Sequence, residues 1–385
     1  MNPLFLHIGM PKTGTTSIQS TLFWTPPADP FRFITLDTDF GNQVLVGAFT
    51  HDFQKSDGYF ASLVRKRDRK RFSVYAKNYL DACLTQCKKI GATPILSGES
   101  VWKFPSRDLQ SLRYCAQSHG FSVRVVGYLR PPLDYAQSLF QQRIKNARSC
   151  CIADALRVIF EIPHIIATLD DVFGRDNVHL FPFIPNALPE NCVVQHFYHT
   201  VGLDFHKSFV RRENESMNLN ALKFLYAWRD TKVGKRLGML SRIRCRILLD
   251  NLQSLEGPPV RFHSSLCEDV RGRFDEYLSE IEKRIQHQLP WTASPCLTDD
   301  GLTSDSDLWM YSDEALQWLN NASSLPCPRP NTPSETIALV AKRLNRLCNR
   351  PSLVTFSKHL QREIRIRVHR RSRISNLRGH DSVSA

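Results

Sequence analysis

No stretch of the 385-residue chain is apolar for long enough to cross a bilayer, which takes about 20 residues of helix. Residues 1–9 lack a basic flank and carry too short an apolar run for a secretion signal, so a soluble cytoplasmic protein is expected. Zinc-like spacing is missing as well. Cys83 and Cys87 stand one helical turn apart without a second Cys pair or His at a matching distance, so they are read as core residues and no metal is expected. The 11 cysteines are odd in number and without a repeating interval, and Cys150 adjoins Cys151, which suits reduced thiols rather than a disulfide framework. There is no internal repeat. Acidic balance is also lacking: 51 Lys and Arg against 37 Asp and Glu leave a formal charge of +14. Such a field attracts nucleotides, nucleic acid, sulfated glycans or anionic lipid heads without choosing among them.

What is present is ordinary globular material, 42% hydrophobic and 23% charged, enough to bury a large core. Residues 4–8 form a short apolar run halted at Gly9, the pattern of a buried parallel strand. A Gly/Thr-rich loop follows, then a segment with Ile18, Leu22 and Trp24 at helical spacing. Residues 25–60 are rich in Pro, Asp and Gly and read as irregular. Helices are expected over 59–67, over 73–90 with Val74, Leu80, Leu84 and Cys87 on one side, and over 109–119, 133–145 and 152–173. Between them, 93–99 with a polar end, 123–129 and 178–183 read as strands. This alternation predicts an α/β fold, a parallel sheet flanked by helices in a P-loop NTPase-like three-layer sandwich, with a mostly helical C-terminal part. Further helices are expected over 193–201, ending at Gly202, and over 219–229, 237–252 and 266–287. The domain reading is an α/β domain over 1–290, an irregular linker over 291–333 with Pro326, Pro328, Pro330 and Pro333, and a basic helical extension over 334–385. In the extension Ile337, Val340, Leu344 and Leu347 keep helical spacing, and Glu363 is the single acid among the Arg and Lys of 342–378. A solvated basic helix with a frayed tail is the simpler reading of that run, and an anionic-surface contact the other.

The loop from Gly9 to Ser17 carries the chemistry. A phosphate cradle needs converging backbone N–H groups, small residues that let the chain approach the anion, and a helix N-terminus behind them. Gly9, Gly14, Thr13, Thr15, Thr16 and Ser17 meet these needs, and Lys12 adds a mobile point charge. The nucleotide-hydrolase loop G-x-x-x-x-G-K-S/T places its lysine after the second glycine. Here Gly14 is followed by Thr15 and Thr16, and the lysine precedes it, which argues against an ATPase or kinase.

The run Pro11-Lys12-Thr13-Gly14-Thr15-Thr16-Ser17 resembles the 5′-phosphosulfate loop of sulfotransferases that use 3′-phosphoadenosine-5′-phosphosulfate, and residues 6–17 look most like the bacterial branch of that superfamily. The family also places an Arg at a strand end and a Ser eight residues later to hold the 3′-phosphate, and Arg130 and Ser138 match. The resemblance covers residues 4–146 and reaches about residue 220 through 178–183 and 211–216, where Asn214 and Ser216 are further polar candidates. The R-K-G-x-x-G-D-W element of cytosolic small-molecule sulfotransferases is absent. The resemblance implies a metal-free enzyme that moves a sulfuryl group from this donor to a hydroxyl-bearing acceptor, with a carbohydrate or glycolipid as the best-fitting class and no obligate nucleic acid.

In that chemistry Lys12 stabilises charge on the leaving phosphate. Glu99, at the C-terminal end of a predicted strand, is the first candidate for the base, since ligands of such folds sit in that crevice. Tyrosylprotein sulfotransferases carry a similar Gly-Glu, whereas heparan-type enzymes place the acid on the helix after the loop, where this chain has Ser20. A structural role for Glu99 as a cap or ion-pair partner stays open. His7 is second choice, having a suitable reference pKa, and His51 third. The rival functions are a P-loop kinase or nucleotide hydrolase, and a basic nucleic-acid or anionic-surface binding protein.

Overall fold

The computed structural model describes residues 1–36, 42–51, 68–146, 151–207, 210, 217–231, 239–293, 301–324, 333–349 and 357–361. Its strands are β1 (Asn2–Gly9), β2 (Phe31–Phe33), β3 (Thr93–Ser97), β4 (Phe121–Leu129) and β5 (Val178–Pro182). They form one parallel sheet in the order β2-β3-β1-β4-β5. His7 pairs with Ser97, Gly9 with Tyr128, and Leu129 with Pro182, so β3, β1, β4 and β5 finish at a common edge. β1 lies at the centre, where the order of connection reverses, and a crevice opens beyond the strand ends at such a point.

Helix α1 (Thr15–Trp24) follows β1 directly, and α2 (Asn42–Phe49) and α3 (Arg69–Ile90) precede β3. Next come α4 (Ser106–Ser118), α5 (Pro132–Lys145), α6 (Ile152–Arg157), α7 (Ile162–Phe173) and α8 (Val193–Val201). Strand alternation divides β1 between two cores. Leu4, Leu6 and Ile8 join the larger one with Leu80 and Leu84 of α3, Leu109 of α4, Phe140 of α5 and Ile166 of α7. Ile95, Val126 and Tyr128 face the other, with Ile18 and Leu22 of α1 and Phe197 of α8. The result is a P-loop NTPase-like α/β sandwich. Beyond it, α9 (Leu219–Asp230), α10 (Met239–Leu252), α11 (Ser264–Ile285), α12 (Asp313–Ser323) and α13 (Pro333–Asn349) extend the larger core through Phe224, Trp228, Leu248, Phe274, Leu319 and Leu344.

Several expectations need correction. Residues 25–60, read as irregular, contain β2 and α2. The first is three residues long, too short to show alternation, and Val44, Leu45, Val46 and Phe49 of the second are all buried, so no polar face marks its period. The helix expected over 152–173 is interrupted by a 3₁₀ turn at Val158–Glu161, and Pro163 sits in the first turn of α7, where its missing N–H costs nothing. Val74 and Trp24 are more than half exposed, and the buried stripe of α3 runs through Phe72, Ala76, Leu80, Leu84 and Cys87. Within 291–333, read as irregular, lie the turn Asp305–Trp309 and α12, the latter capped by the Ser312 side chain accepting from the Ala315 N–H. The helix expected over 59–67, the polar run 211–216, Cys150, Pro326, Pro328, Pro330 and most of the basic C-terminal stretch lie outside the described residues. No helix of the described residues is long and apolar enough to cross a membrane.

Candidate functional site

The loop leaves β1 at Gly9 and enters α1 at Thr15. It is drawn tight by Thr13, whose N–H and hydroxyl both donate to the Met10 carbonyl, at 3.3 and 2.8 Å. Lys12 (φ 69°) and Gly14 (φ 79°), on either side of Thr13, are left-handed. Left-handed residues alternating with others turn successive N–H groups inward, the geometry of an anion-binding nest. For Lys12 that conformation costs roughly 1–2 kcal/mol, a strain that persists only where surrounding contacts enforce it.

Two glycines are dictated by space. A Cβ on Gly9 would lie 2.6 Å from the hydroxyl oxygens of both Thr13 and Thr15, and one on Gly14 would lie 2.5 Å from Val193 Cγ1 of α8, quite apart from its positive φ. The Thr15 hydroxyl is buried without a hydrogen-bond partner among the described residues. An unspent donor beneath a nest, at the start of a helix, fits an oxyanion and has no role in holding the loop.

Arg130 follows β4 directly. Its Nη1 donates to the Lys12 carbonyl at 3.1 Å, so the guanidinium spans from the end of β4 to the loop. Burial pulls its pKa below the usual guanidinium value, and Asp134, one turn on, opposes the change. Asp134 is itself fixed by the Thr292 hydroxyl at 2.7 Å and the Ala293 N–H at 3.0 Å, while the Leu133 N–H donates to the Trp291 carbonyl at 3.1 Å. Residues 291–293 thus clamp the first turn of α5 beside the loop. Ser138 lies two turns into the same helix and is buried.

Glu99 opens the 3₁₀ turn Glu99–Lys103 just beyond β3, where the Gly98 N–H donates to the His7 carbonyl at 2.9 Å. Burial raises the Glu99 carboxyl, and the Lys12 ammonium partly offsets the rise. Lys12 moves the other way: burial lowers it most, Glu99 supports its charge and Arg130 opposes it. A fourth charged group, not anticipated from the sequence, is Lys145 in the last turn of α5. Burial and then the like charge of Lys12 depress it to about 8. The Arg229 guanidinium donates to the Lys145 carbonyl and anchors that turn. Basic residues are favoured at helix C-termini everywhere, so nothing in the sequence distinguished this one.

The structure therefore brings Lys12, Glu99, Arg130 and Lys145 together beyond the strand ends. Positive charge held out of water in this way is stabilised by an arriving anion.

His7 occupies a different place. It is fully buried on the α8 side of β1, its ring centroid 5.0 Å from that of Phe197, and Nδ1 lies 2.7 Å from Ser97 Oγ. Gln19 Nε2 of α1 donates to both Ser97 Oγ and the Ser97 carbonyl at 3.1 Å. The other ring nitrogen, Nε2, is buried without a hydrogen-bond partner among the described residues. Burial lowers His7 to about 3, so it is neutral and sealed from any acceptor. It ties β1, β3 and α1 together just behind Glu99. His51 is committed to Asp108 of α4, its Nδ1 2.7 Å from the carboxylate.

No model of a known protein family matches the chain, and no curated protein matches it. Among solved structures, a sulfotransferase from Alicyclobacillus acidocaldarius is similar at 16% identity and a TM-score of 0.36, covering 63% of this chain and 99% of that one. A structure of the PezAT toxin–antitoxin system of Streptococcus pneumoniae is similar at 11% identity and a TM-score of 0.28, covering 66% of this chain and 88% of that one. Both likenesses are too distant to carry chemistry, which rests on the residues themselves.

Proposed function

We propose that the protein transfers a sulfuryl group from 3′-phosphoadenosine-5′-phosphosulfate to an acceptor hydroxyl, with a carbohydrate or glycolipid as the acceptor class. The observation that carries this reading is the joining of two phosphate signatures at one point, Arg130 donating to the carbonyl of Lys12 within the loop. A donor with a 5′-phosphosulfate and a separate 3′-phosphate needs two anion sites, and a planar guanidinium beside a backbone nest supplies both.

In this scheme Gly14, Thr15, Thr16 and Ser17 hold the 5′-phosphosulfate in a loop that Thr13 shapes through its two bonds to the Met10 carbonyl, and Arg130 with Ser138 holds the 3′-phosphate. The acceptor oxygen attacks sulfur in line as the bond from sulfur to the bridging phosphate oxygen breaks. That electron pair stays on the leaving phosphate, where the Lys12 ammonium meets the growing charge. The acceptor proton passes to the Glu99 carboxylate. Products are a sulfate ester and 3′-phosphoadenosine-5′-phosphate. Burial serves both groups: it raises the proton affinity of Glu99 toward that of a useful base, and it strengthens the field of Lys12 at the site.

The test is transfer of labelled sulfate from the donor to a panel of carbohydrate and glycolipid acceptors in the presence of a chelator. Transfer above background is the expected result. Magnesium-dependent ATP turnover with no sulfate transfer would overturn the proposal.

A further inference from the structure

A second cluster of reactive side chains lies between α3 and α4, at the other end of the sheet. His119 closes α4 two residues before β4 begins, whereas Arg130 follows that strand's end. The nine residues of β4 lie between them, roughly 30 Å of extended chain. Cys115 and His119 are four residues apart on α4, which puts them on one face, and Asp81 of α3 lies opposite. Cys115 Sγ is 3.5 Å from Asp81 Oδ1, and His119 Nε2 is 3.9 Å from the same oxygen. All three ligand atoms lie within 4.8 Å of one another.

The orientation of the imidazole is set by its other nitrogen. His119 Nδ1 is 2.8 Å from the Cys115 carbonyl, which can only accept, so Nδ1 carries the proton there. The Ser118 hydroxyl, 3.3 Å from Nδ1, itself donates to the same carbonyl at 2.9 Å. In the neutral ring Nε2 then presents a bare lone pair toward the Asp81 carboxylate. A cation between them, whether a proton or a metal ion, would satisfy both lone pairs, and the Cys115 thiol already donates to the same Asp81 oxygen. A backbone carbonyl that fixes the tautomer of a ligating His is the usual second layer of a metal site.

We propose that Asp81, Cys115 and His119 bind a divalent, thiol-accepting cation such as zinc, with water as a fourth ligand. A tetrahedral zinc with bonds of about 2.3 Å to sulfur and 2.0–2.1 Å to nitrogen and oxygen spaces sulfur and oxygen about 3.5 Å apart, and nitrogen and oxygen about 3.3 Å. The first spacing is already met, and the second needs the ring to close by about half an ångström. Binding replaces the thiol proton of Cys115, which leaves to solvent, with a metal–sulfur bond. Cys115 is buried, while Asp81 and His119 are partly exposed, so an ion can enter and keep a water. Burial and then the Asp81 carboxylate push the Cys115 thiol up to about 12, and Lys77, one turn before Asp81 on α3, partly opposes that rise and also opposes the metal's charge. The bound ion would cross-link α3 to α4 far from the strand-end crevice, giving it a structural role.

Cobalt(II) is the probe, titrated into the chelator-treated full chain. The expected result is a sulfur-to-cobalt charge-transfer band with tetrahedral visible bands saturating at one equivalent, and a rise in melting temperature with zinc. Cys115→Ser should remove the charge-transfer band, and His119→Gln should weaken binding at least about tenfold. Cys83→Ser, one turn from Cys87, should leave both unchanged. If Cys115→Ser does not fold, His119→Gln decides, since that ring is near the surface. Absence of the band in the unaltered protein, or its survival in Cys115→Ser, overturns the proposal.

Discussion

At the scale of the residue, the reading depends on a few groups taken out of water together. Glu99 is the group most open to test. Its carboxyl is raised by burial, so it holds its proton to higher pH than an ordinary carboxylate, and a base must lose that proton to work. The rate should therefore climb with pH through a value above the usual carboxylate range. Glu99→Gln should lower kcat by roughly 10²–10⁴ and leave product-nucleotide affinity unchanged. Calorimetric binding beside a pH–rate profile checks both halves, and full turnover in the variant would remove Glu99 as the base.

The loop made Lys12 and its strand-end place made Glu99 candidates, and Arg130 came from the resemblance to the sulfotransferases; each occupies a place where the chain must emerge at one edge. Lys145 was illegible, since its approach to Lys12 depends on how α5 crosses the crevice. The Asp81, Cys115 and His119 cluster was hidden for a similar reason. The pair with visible spacing, Cys83 and Cys87, is core, while the facing ligand of Cys115 comes from another helix.

Among the elements, the strand–loop–helix of β1 and α1 has the least freedom. Gly14 is left-handed and lies against Val193, so a methyl there meets both a conformational and a steric barrier. Gly14→Ala should shift α8 or unwind the first turn of α1, and donor affinity should fall by more than tenfold, about 1.4 kcal/mol. Fluorescence titration with the product nucleotide measures this, and unchanged affinity would mean that the loop does not hold the donor.

Among the described residues, hydrophobic period located most of the long helices and four of the five strands. It failed where no period exists: in β2, which is too short, in α2, which is buried all round, and across 152–173, where Pro163 divides one apolar run into two helices. His7 looked like a candidate base because a histidine near a phosphate loop has a useful reference pKa. Strand alternation, which sends residues 5 and 7 to the face opposite 4, 6 and 8, instead buries it against Phe197.

On the scale of the molecule, the parallel order β2-β3-β1-β4-β5 gathers residues from distant parts of the chain at one edge. Residues 291–293 complete that edge by holding Asp134 and Leu133, so the stretch beyond α11 bears on Arg130 although it lies far away in sequence. The net charge of +14 is consistent with an anionic donor and cannot by itself identify one.

The most direct test of the central claim is the melting temperature of the full chain with and without 3′-phosphoadenosine-5′-phosphate, compared with adenosine 5′-phosphate, which lacks the second phosphate. At about 100 times its Kd the two-phosphate nucleotide adds about 2.7 kcal/mol of stability, a shift of several degrees. The account predicts that shift, a much smaller one with the single phosphate, and loss of the difference in Arg130→Ala. Equal shifts from both nucleotides, or none from either, would contradict it.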